Sequence, residues 1–491
     1  MLFQHIYDED LAQASYLIGC QATGEAIVVD ARRDVDTFVA LAAHHGLRIT
    51  AVTETHIHAD YQSGSRELAA RTGARLYLSD EGDRDWKYGF EGTALKHGDV
   101  IRLGNVRLEA VHTPGHTPEH LSFLVTDGAA SEQPGFYLTG DFVFVGDVGR
   151  PDLLDEAAGG VDTRFAGAKR LFASLRDHFL ALPDHVQVWP GHGAGSACGK
   201  ALGAVPSTTV GYERLTSWWA PLVAAGDEGG FVEALLEGQP DAPLYFGRMK
   251  RTNKAGPALL GDRGPVPELS PDALRDALGR DLVLLDTRGA DAFRAEHVPG
   301  AYFAPEGKKF ATYASYAIDP EGDPRPLVLL ARDAAHAARL RDRLAWTGID
   351  RVAGFVTSVA GLTAGAAATV APADLGRVAD AFLLDVRTKG EHAAGAVPGA
   401  LQRHVGRVAY LHDDLPRDRP VVVYCQTGIR AAVATAALRK PRRPASRTAQ
   451  LLSREKRFTW WITDDAASKS SPRIAPSPHF ETRPDQSISP D

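Results

Sequence analysis

The chain has 491 residues, 44% hydrophobic and 24% charged, the composition of a soluble globular protein with two to four domains. A formal net charge of −8 argues against a nucleic-acid partner, and no apolar run reaches the ~18 residues of a membrane span. The start, MLFQHIYDED, lacks the basic-then-apolar pattern of an export signal. Three distant cysteines (Cys20, Cys198, Cys425) suit free thiols in a reducing cytoplasm.

Residues 1–247 read as alternating strands and helices. AIVVD (26–30), ITAVTET (49–55), ARLYLS (74–79) and VQVWP (186–190) are short β-rich runs, while SRELAART (65–72) and residues 163–182 carry helical spacing of apolar residues. Residues 248–267, beginning MKRTNKAGP, are basic and rich in Gly and Pro and read as a linker. An internal repeat follows. LVLLDTRGADAFRAEHVPGA (282–301) recurs 99 residues later as AFLLDVRTKGEHAAGAVPGA, and RPLVLLARDAAHAA (325–338) recurs 94 residues later as RPVVVYCQTGIRAA. Two small α/β domains, 268–365 and 370–440, are the simplest account. No glycine follows Gly428; the Pro/Ser/Arg-rich stretch 441–491 is expected to be disordered, and the second copy to lack its final strand and helix.

Chemistry-bearing residues fall just after strands, where loops display sites on a rigid scaffold. His56, His58 and Asp60 alternate along extended chain and so project to one side. Further on come His112, His116 and His120 in HTPGHTPEH, then Asp141 in LTGD and His192 in WPGHG. Four such motifs in this order are a polar metal site. A Tyr61 phenol, with an ordinary pKa near ~10, is a poor ligand for a divalent ion.

This series resembles the metallo-β-lactamase superfamily, an αββα sandwich, and within it the persulfide dioxygenases (sulfur dioxygenases), through THIHADYQSG, HTPGHTPEH, LTGD and GRPDL. Two-metal hydrolases of that superfamily carry His where Tyr61 stands, so the resemblance implies a single metal, one Fe(II) per chain. It implies His56, His116 and Asp141 as ligands, the facial triad of non-haem iron oxygenases. His58, Asp60, Tyr61 and His192 then orient ligands and solvent, with direct zinc ligation by His58 and Asp60 as the alternative. Arg150 is a candidate partner for a carboxylate of a thiol substrate such as glutathione, with an ordinary ion pair beside it. Cys198 either borders the metal cleft or packs in a core; Cys20 reads as strand packing.

Cys425-Gln426-Thr427-Gly428-Ile429-Arg430 sits between the apolar run VVVY and a helical stretch. A Cys at such a junction faces backbone N–H groups and the positive end of a helix, which favour a thiolate, a persulfide anion or a bound oxyanion. With DVR and VPGA, this loop resembles a rhodanese domain. The resemblance implies Cys425 as the sulfur acceptor, Gln426, Thr427 and Gly428 around the substrate, and Arg430 as charge for an anionic donor such as thiosulfate. The first copy has Ala331 and His336 at the matching positions, so it is expected to be a silent, rhodanese-like scaffold. The combined expectation is an α/β chain that oxidises a small thiol persulfide with O2 to sulfite and exchanges sulfur with sulfite or thiosulfate. It would be a homodimer or homotetramer. The alternative is a zinc thioester hydrolase of the glyoxalase II type.

Overall fold

The computed structural model describes residues 1–157, 163–278, 280–362, 369–411, 415–416, 418–439 and 458–461. Its first unit stacks two six-stranded sheets. One runs in order β1 (Leu2–Asp8), β2 (Gln13–Cys20), β3 (Glu25–Val29), β4 (Arg48–Thr53), β5 (Arg75–Ser79), β6 (Thr93–Leu95). The other holds β7 (Val100–Leu103), β8 (Val106–His112), β9 (Leu121–Asp127), β10 (Phe136–Gly140), β11 (Gln187–Pro190) and β12 (Thr208–Thr209), again in sequence order across the sheet.

All eight residues of β2 are buried because the strand is covered on both faces. Ala14, Tyr16, Ile18 and Cys20 join Leu108, Phe123 and Leu138 of the facing sheet, while Leu17 packs outward with Val28, Phe38 and Leu68. Helices Val35–His44 and Ser65–Thr72 thus cover one sheet, and Thr163–Ser174 with Glu228–Leu236 covers the other through Leu171, Phe172, Phe231 and Leu235. This is the expected αββα sandwich, with Cys20 packed in its core. The motif loops leave the C-terminal ends of β4, β8, β10 and β11. Because β10 and β11 are parallel, with Gly140 beside Pro190, the Asp141 and His192 loops emerge together.

The expected linker begins later than its composition suggested. Residues 248–255 lie in helix Tyr245–Ala255, whose Arg248, Met249 and Asn253 are buried. The basic residues belong to an amphipathic helix, and the chain breaks only at Gly256, where φ is 95°. Asn253 donates to the carbonyls of His58 and Tyr61 (both 2.8 Å) and accepts from Ser63 N (2.9 Å), so this helix holds the first metal loop.

The repeat is real in three dimensions. The first copy forms a parallel sheet from β13 (Val283–Asp286), β14 (Tyr302–Phe303), β15 (Leu327–Leu330) and β16 (Val352–Val356), in order β14-β13-β15-β16. The second has β17 (Thr369–Val370), β18 (Phe382–Asp385), β19 (Leu401–Gln402), β20 (Val421–Tyr424) and β21 (Phe458–Trp461), in order β17-β21-β20-β18-β19. The matching order shows that β21 stands where the final strand was expected to be missing. FTWW is a β-favouring tetrapeptide inside a polar tail; the rest of 441–491 lies outside the described residues. The two copies share one core in which Phe293, Phe303 and Phe310 meet Val423, Ala431 and Val433. They are tied to the sandwich by buried Asp10, which accepts from Ala311 N (2.7 Å), Thr312 N (3.2 Å) and Arg343 (2.6 Å). Among the described residues no helix is long and apolar enough to cross a membrane.

Candidate metal centre and sulfur loop

His56, His116 and Asp141 are buried, and their ligand atoms lie within 4.8 Å of one another. Asp141 Oδ2 stands 3.4 Å from His116 Nε2 and 4.0 Å from His56 Nε2. Each imidazole is pinned through its other nitrogen: His116 Nδ1 contacts the Arg150 carbonyl (2.9 Å), and His56 Nδ1 contacts Thr55 Oγ1 (3.0 Å). Both Nε2 atoms therefore face the carboxylate. Burial holds His56 and His116 well below the usual imidazole range, so both are neutral and able to ligate. Burial also raises Asp141 to about 6. Apart from the weak thiol donor of Cys198, nothing among the described residues satisfies the Asp141 oxygens. A neutral, donor-rich cluster with an unsatisfied carboxylate fits a divalent cation.

His58 does not join this group. Its Nε2 lies 3.0 Å from Asp30 Oδ1, and although burial pulls its pKa down, the Asp30 carboxylate overrides this and raises it to about 9. Sequence reasoning missed Asp30. It sits at φ 57° just past β3, and its carboxylate accepts from Thr55 N (2.7 Å) and Thr55 Oγ1 (2.9 Å). His120 was visible in the sequence only as the end of a motif. Held near 3 by burial, it accepts from Asp141 N (3.1 Å) while its Nδ1 meets Thr113 Oγ1 (2.8 Å), which fixes the Asp141 backbone. Tyr61 is buried, with its hydroxyl donating to the Asp30 carbonyl (3.2 Å), away from the ligands.

Asp60, His192 and Cys198 form a second buried group, also within 4.8 Å of one another. Both expectations for Cys198 describe its place: its thiol lies with Asp60 and His192, and the residue packs in a core cluster with Ala59, Phe144 and Phe246. Arg150 requires correction as a substrate clamp. It is 1% exposed; its guanidinium is paired with Asp152 (2.5 and 2.8 Å) and donates to the carbonyls of Pro240 (2.7 Å) and Ala197 (3.2 Å). It braces the loops carrying Asp141 and Cys198. Two other cations, missed for want of a motif, approach the centre. The Lys250 ammonium lies 4.3 Å from the Trp86 ring centroid, with burial bringing it to about 8. Arg170 lines a cavity of about 190 Å³ with Trp86 and His116.

In the second copy, Gly428 at φ 87° turns the loop back so that its N–H (3.1 Å) and that of Ala431 (3.4 Å) donate to Cys425 Sγ. Such a cradle suits an anionic sulfur. Gln426 and Thr427 are exposed at the loop tip. Arg430 is not a free anion binder: it pairs with both oxygens of Glu391 (2.6 and 2.7 Å). In the first copy Ala331 and Ala334 replace Cys425 and Gly428, and His336 Nδ1 accepts from Arg332 N (3.0 Å), which occupies the loop from within.

Comparisons with known proteins bear on the fold and the family. The metallo-beta-lactamase superfamily profile matches residues 8–192, and the rhodanese-like domain profile matches 368–453. A crystal structure of a metallo-beta-lactamase from Staphylococcus aureus subsp. aureus COL is 37% identical, with a TM-score of 0.63 over 73% of this chain and 99% of that one. The chain belongs to the metallo-beta-lactamase superfamily and carries a C-terminal rhodanese-like domain. ETHE1 from Myxococcus xanthus is 26% identical, over 52% of this chain and 99% of that one, but its TM-score of 0.43 is too low to bear on chemistry. A hydroxyacylglutathione hydrolase of Nitrosococcus oceani is 37% identical over 131 residues, 26% of this chain and 47% of that protein. The chain spans about half the length of the curated relatives it matches.

Proposed function

We propose that the chain oxidises a low-molecular-weight thiol persulfide with O2 at His56, His116 and Asp141, with one Fe(II) held there, and that Cys425 exchanges sulfane sulfur with sulfite or thiosulfate. The observation that carries the reading is the donor set: two imidazoles and one carboxylate, with His58 withdrawn onto Asp30. Two-His-one-carboxylate sites with open positions suit non-haem Fe(II) oxygenases; catalytic zinc hydrolases use the same donor set, so the choice of iron rests on Tyr61 in place of a further His and on the fused rhodanese-like domain. Persulfide, O2 and water give thiol, sulfite and two protons; the outer sulfur loses four electrons and O2 gains them. Bound iron would supply the one-electron chemistry that O2 requires. The protein would keep His56 and His116 neutral through burial, hold Asp141 by its backbone on His120, and attract an anionic substrate with Lys250 and Arg170.

At Cys425 the thiolate sulfur would attack the sulfane sulfur of thiosulfate, breaking its S–S bond and releasing sulfite; the reverse step forms thiosulfate. The Gly428 and Ala431 N–H groups favour the persulfide anion formed. The full reading is a cytoplasmic homodimer or homotetramer. Thioester hydrolysis with zinc is the second reading, favoured by the likeness to hydroxyacylglutathione hydrolases and opposed by Tyr61 and the rhodanese-like domain.

The test is oxygen uptake by Fe(II)-loaded protein given glutathione persulfide, with sulfite and thiosulfate assayed afterwards. Uptake should vanish in His116→Ala, while Cys425→Ser should lose only thiosulfate formation. An iron-loaded, folded protein that consumes no oxygen would sink the oxygenase reading.

A further inference from the structure

Helix Tyr245–Ala255 meets the first repeat copy around a cavity of about 250 Å³, which neither the candidate metal ligands nor the Cys425 loop lines. Gln62, Arg248 and Thr252 form its wall on the sandwich side, and turns 318–325 and 348–351 of the first copy close the other. We propose that this cavity binds a small tetrahedral oxyanion, of the sulfate, phosphate or thiosulfate class, on the guanidinium of Arg248.

Arg248 is 6% exposed, and its Nη1 is spent on the Thr347 carbonyl (3.0 Å). Its Nε and Nη2 are buried without a hydrogen-bond partner among the described residues. These two N–H groups form one edge of the guanidinium, the fork that grips two oxygens of an anion in parallel. The Tyr410 hydroxyl faces the same cation, but burial raises its pKa, so the phenol stays neutral and leaves the charge unbalanced. It too is buried without a partner, and its O–H is a further donor for the same ligand. A buried cation is stable only beside a counter-charge, and an anion in the cavity supplies one.

No acid of the wall serves that purpose. Asp323 holds Arg325, Glu321 holds Arg251 and Asp350 holds Arg33, all at 2.8 Å. Asp319, beside the same turn, accepts from Glu321 N (3.2 Å) and does not line the cavity. Arg351 gives Nη1 to the Pro324 carbonyl (2.6 Å), so Arg248 and Arg351 are the lining cations without an acid among the described residues. Turn 348–351 approaches closely because residue 348 is Gly; a Cβ there would meet Gln62 Oε1 and Arg248 Nη1. The volume admits such an ion with several waters. Asn253 of the same helix holds the carbonyls of His58 and Tyr61, and Gln62 is the next residue of that loop. A bound oxyanion therefore ties the metal loop and its supporting helix to the first copy, which gives that silent domain an effector-binding role.

The experiment titrates full-length protein with sodium sulfate, phosphate and thiosulfate by isothermal titration calorimetry at constant ionic strength. Cys425→Ser is the background, so that the second copy takes up no sulfur. At least one of the three anions should bind saturably, and chloride should not. Arg248→Lys keeps the charge but loses the fork, and should weaken that binding about tenfold or more. Ala258→Glu, on the exposed rim of the cavity, sets a carboxylate against the same guanidinium and should abolish it; this variant decides the question if Arg248→Lys does not fold. The anion should also slow proteolysis at residues 256–267 in the background protein but not in Ala258→Glu. A folded protein that binds none of the three anions, or binding that either folded variant leaves unchanged, overturns the proposal and leaves the cavity to water. Oxygen uptake enters none of these readouts, so that result leaves the oxygenase reading standing.

Discussion

Replacing Arg150 with Ala separates two roles that the same residue could have. A substrate clamp would stand free in the cleft; this guanidinium is 1% exposed and spends its donors on Asp152, Ala197 and Pro240. Removing it leaves Asp152, 8% exposed, as an unpaired buried acid, which costs about 3–5 kcal/mol. For a unit of this size about 2–4 °C of Tm accompanies each kcal/mol, so Tm should fall by about 6–20 °C. Arg150→Lys should recover only part, since one ammonium cannot reproduce a fork shared among three partners. Differential scanning calorimetry gives the shift, and oxygen uptake on the refolded variant gives kcat and KM. An unchanged Tm with a raised KM would refute the bracing role and restore the clamp.

His120→Leu should lower metal affinity ~10–100-fold in a chelator competition, because Asp141 N loses its buried acceptor and the ligand loop drifts. Glu391 is held at about 2 rather than 4.5 chiefly by its hydrogen bonds from Arg430. Its stabilising contribution is therefore present above pH 4.5 and lost as pH falls toward about 2; Glu391→Gln should flatten that part of an acid-unfolding curve followed by circular dichroism. Gly428→Ala forces a side chain into the left-handed region, costing about 1–2 kcal/mol; sulfur transfer from thiosulfate should fall while metal content stays unchanged. Asp10→Ala should cost ~3–5 kcal/mol by stranding Arg343 and uncapping Ala311 and Thr312, with faster proteolysis at residues 256–267 as the readout.

Local order alone determined much of this protein. Alternating apolar runs marked the strands, the 99- and 94-residue offsets marked the repeat, and three of the motifs supplied His56, His116 and Asp141. These were legible because strand pattern, turn chemistry and motif spacing are short-range properties of the chain. Partner choice was not. A sequence lists Arg150 and Arg430 as charges, but only packing brings the Pro240 carbonyl and Glu391 against them, and a guanidinium whose donors are spent no longer serves an anionic substrate. Asp30 looked like the end of a strand until the fold set it beside His58. MKRTNK read as linker because its burial depends on a sandwich formed far upstream. Cys198 is the sharpest case: nothing in its own loop points to Asp60, and the two meet only because parallel β10 and β11 deliver their loops to the edge where the β4 loop ends. Charge pairing and ligand sets are decided by distances in space, which tertiary packing alone brings down to bonding range.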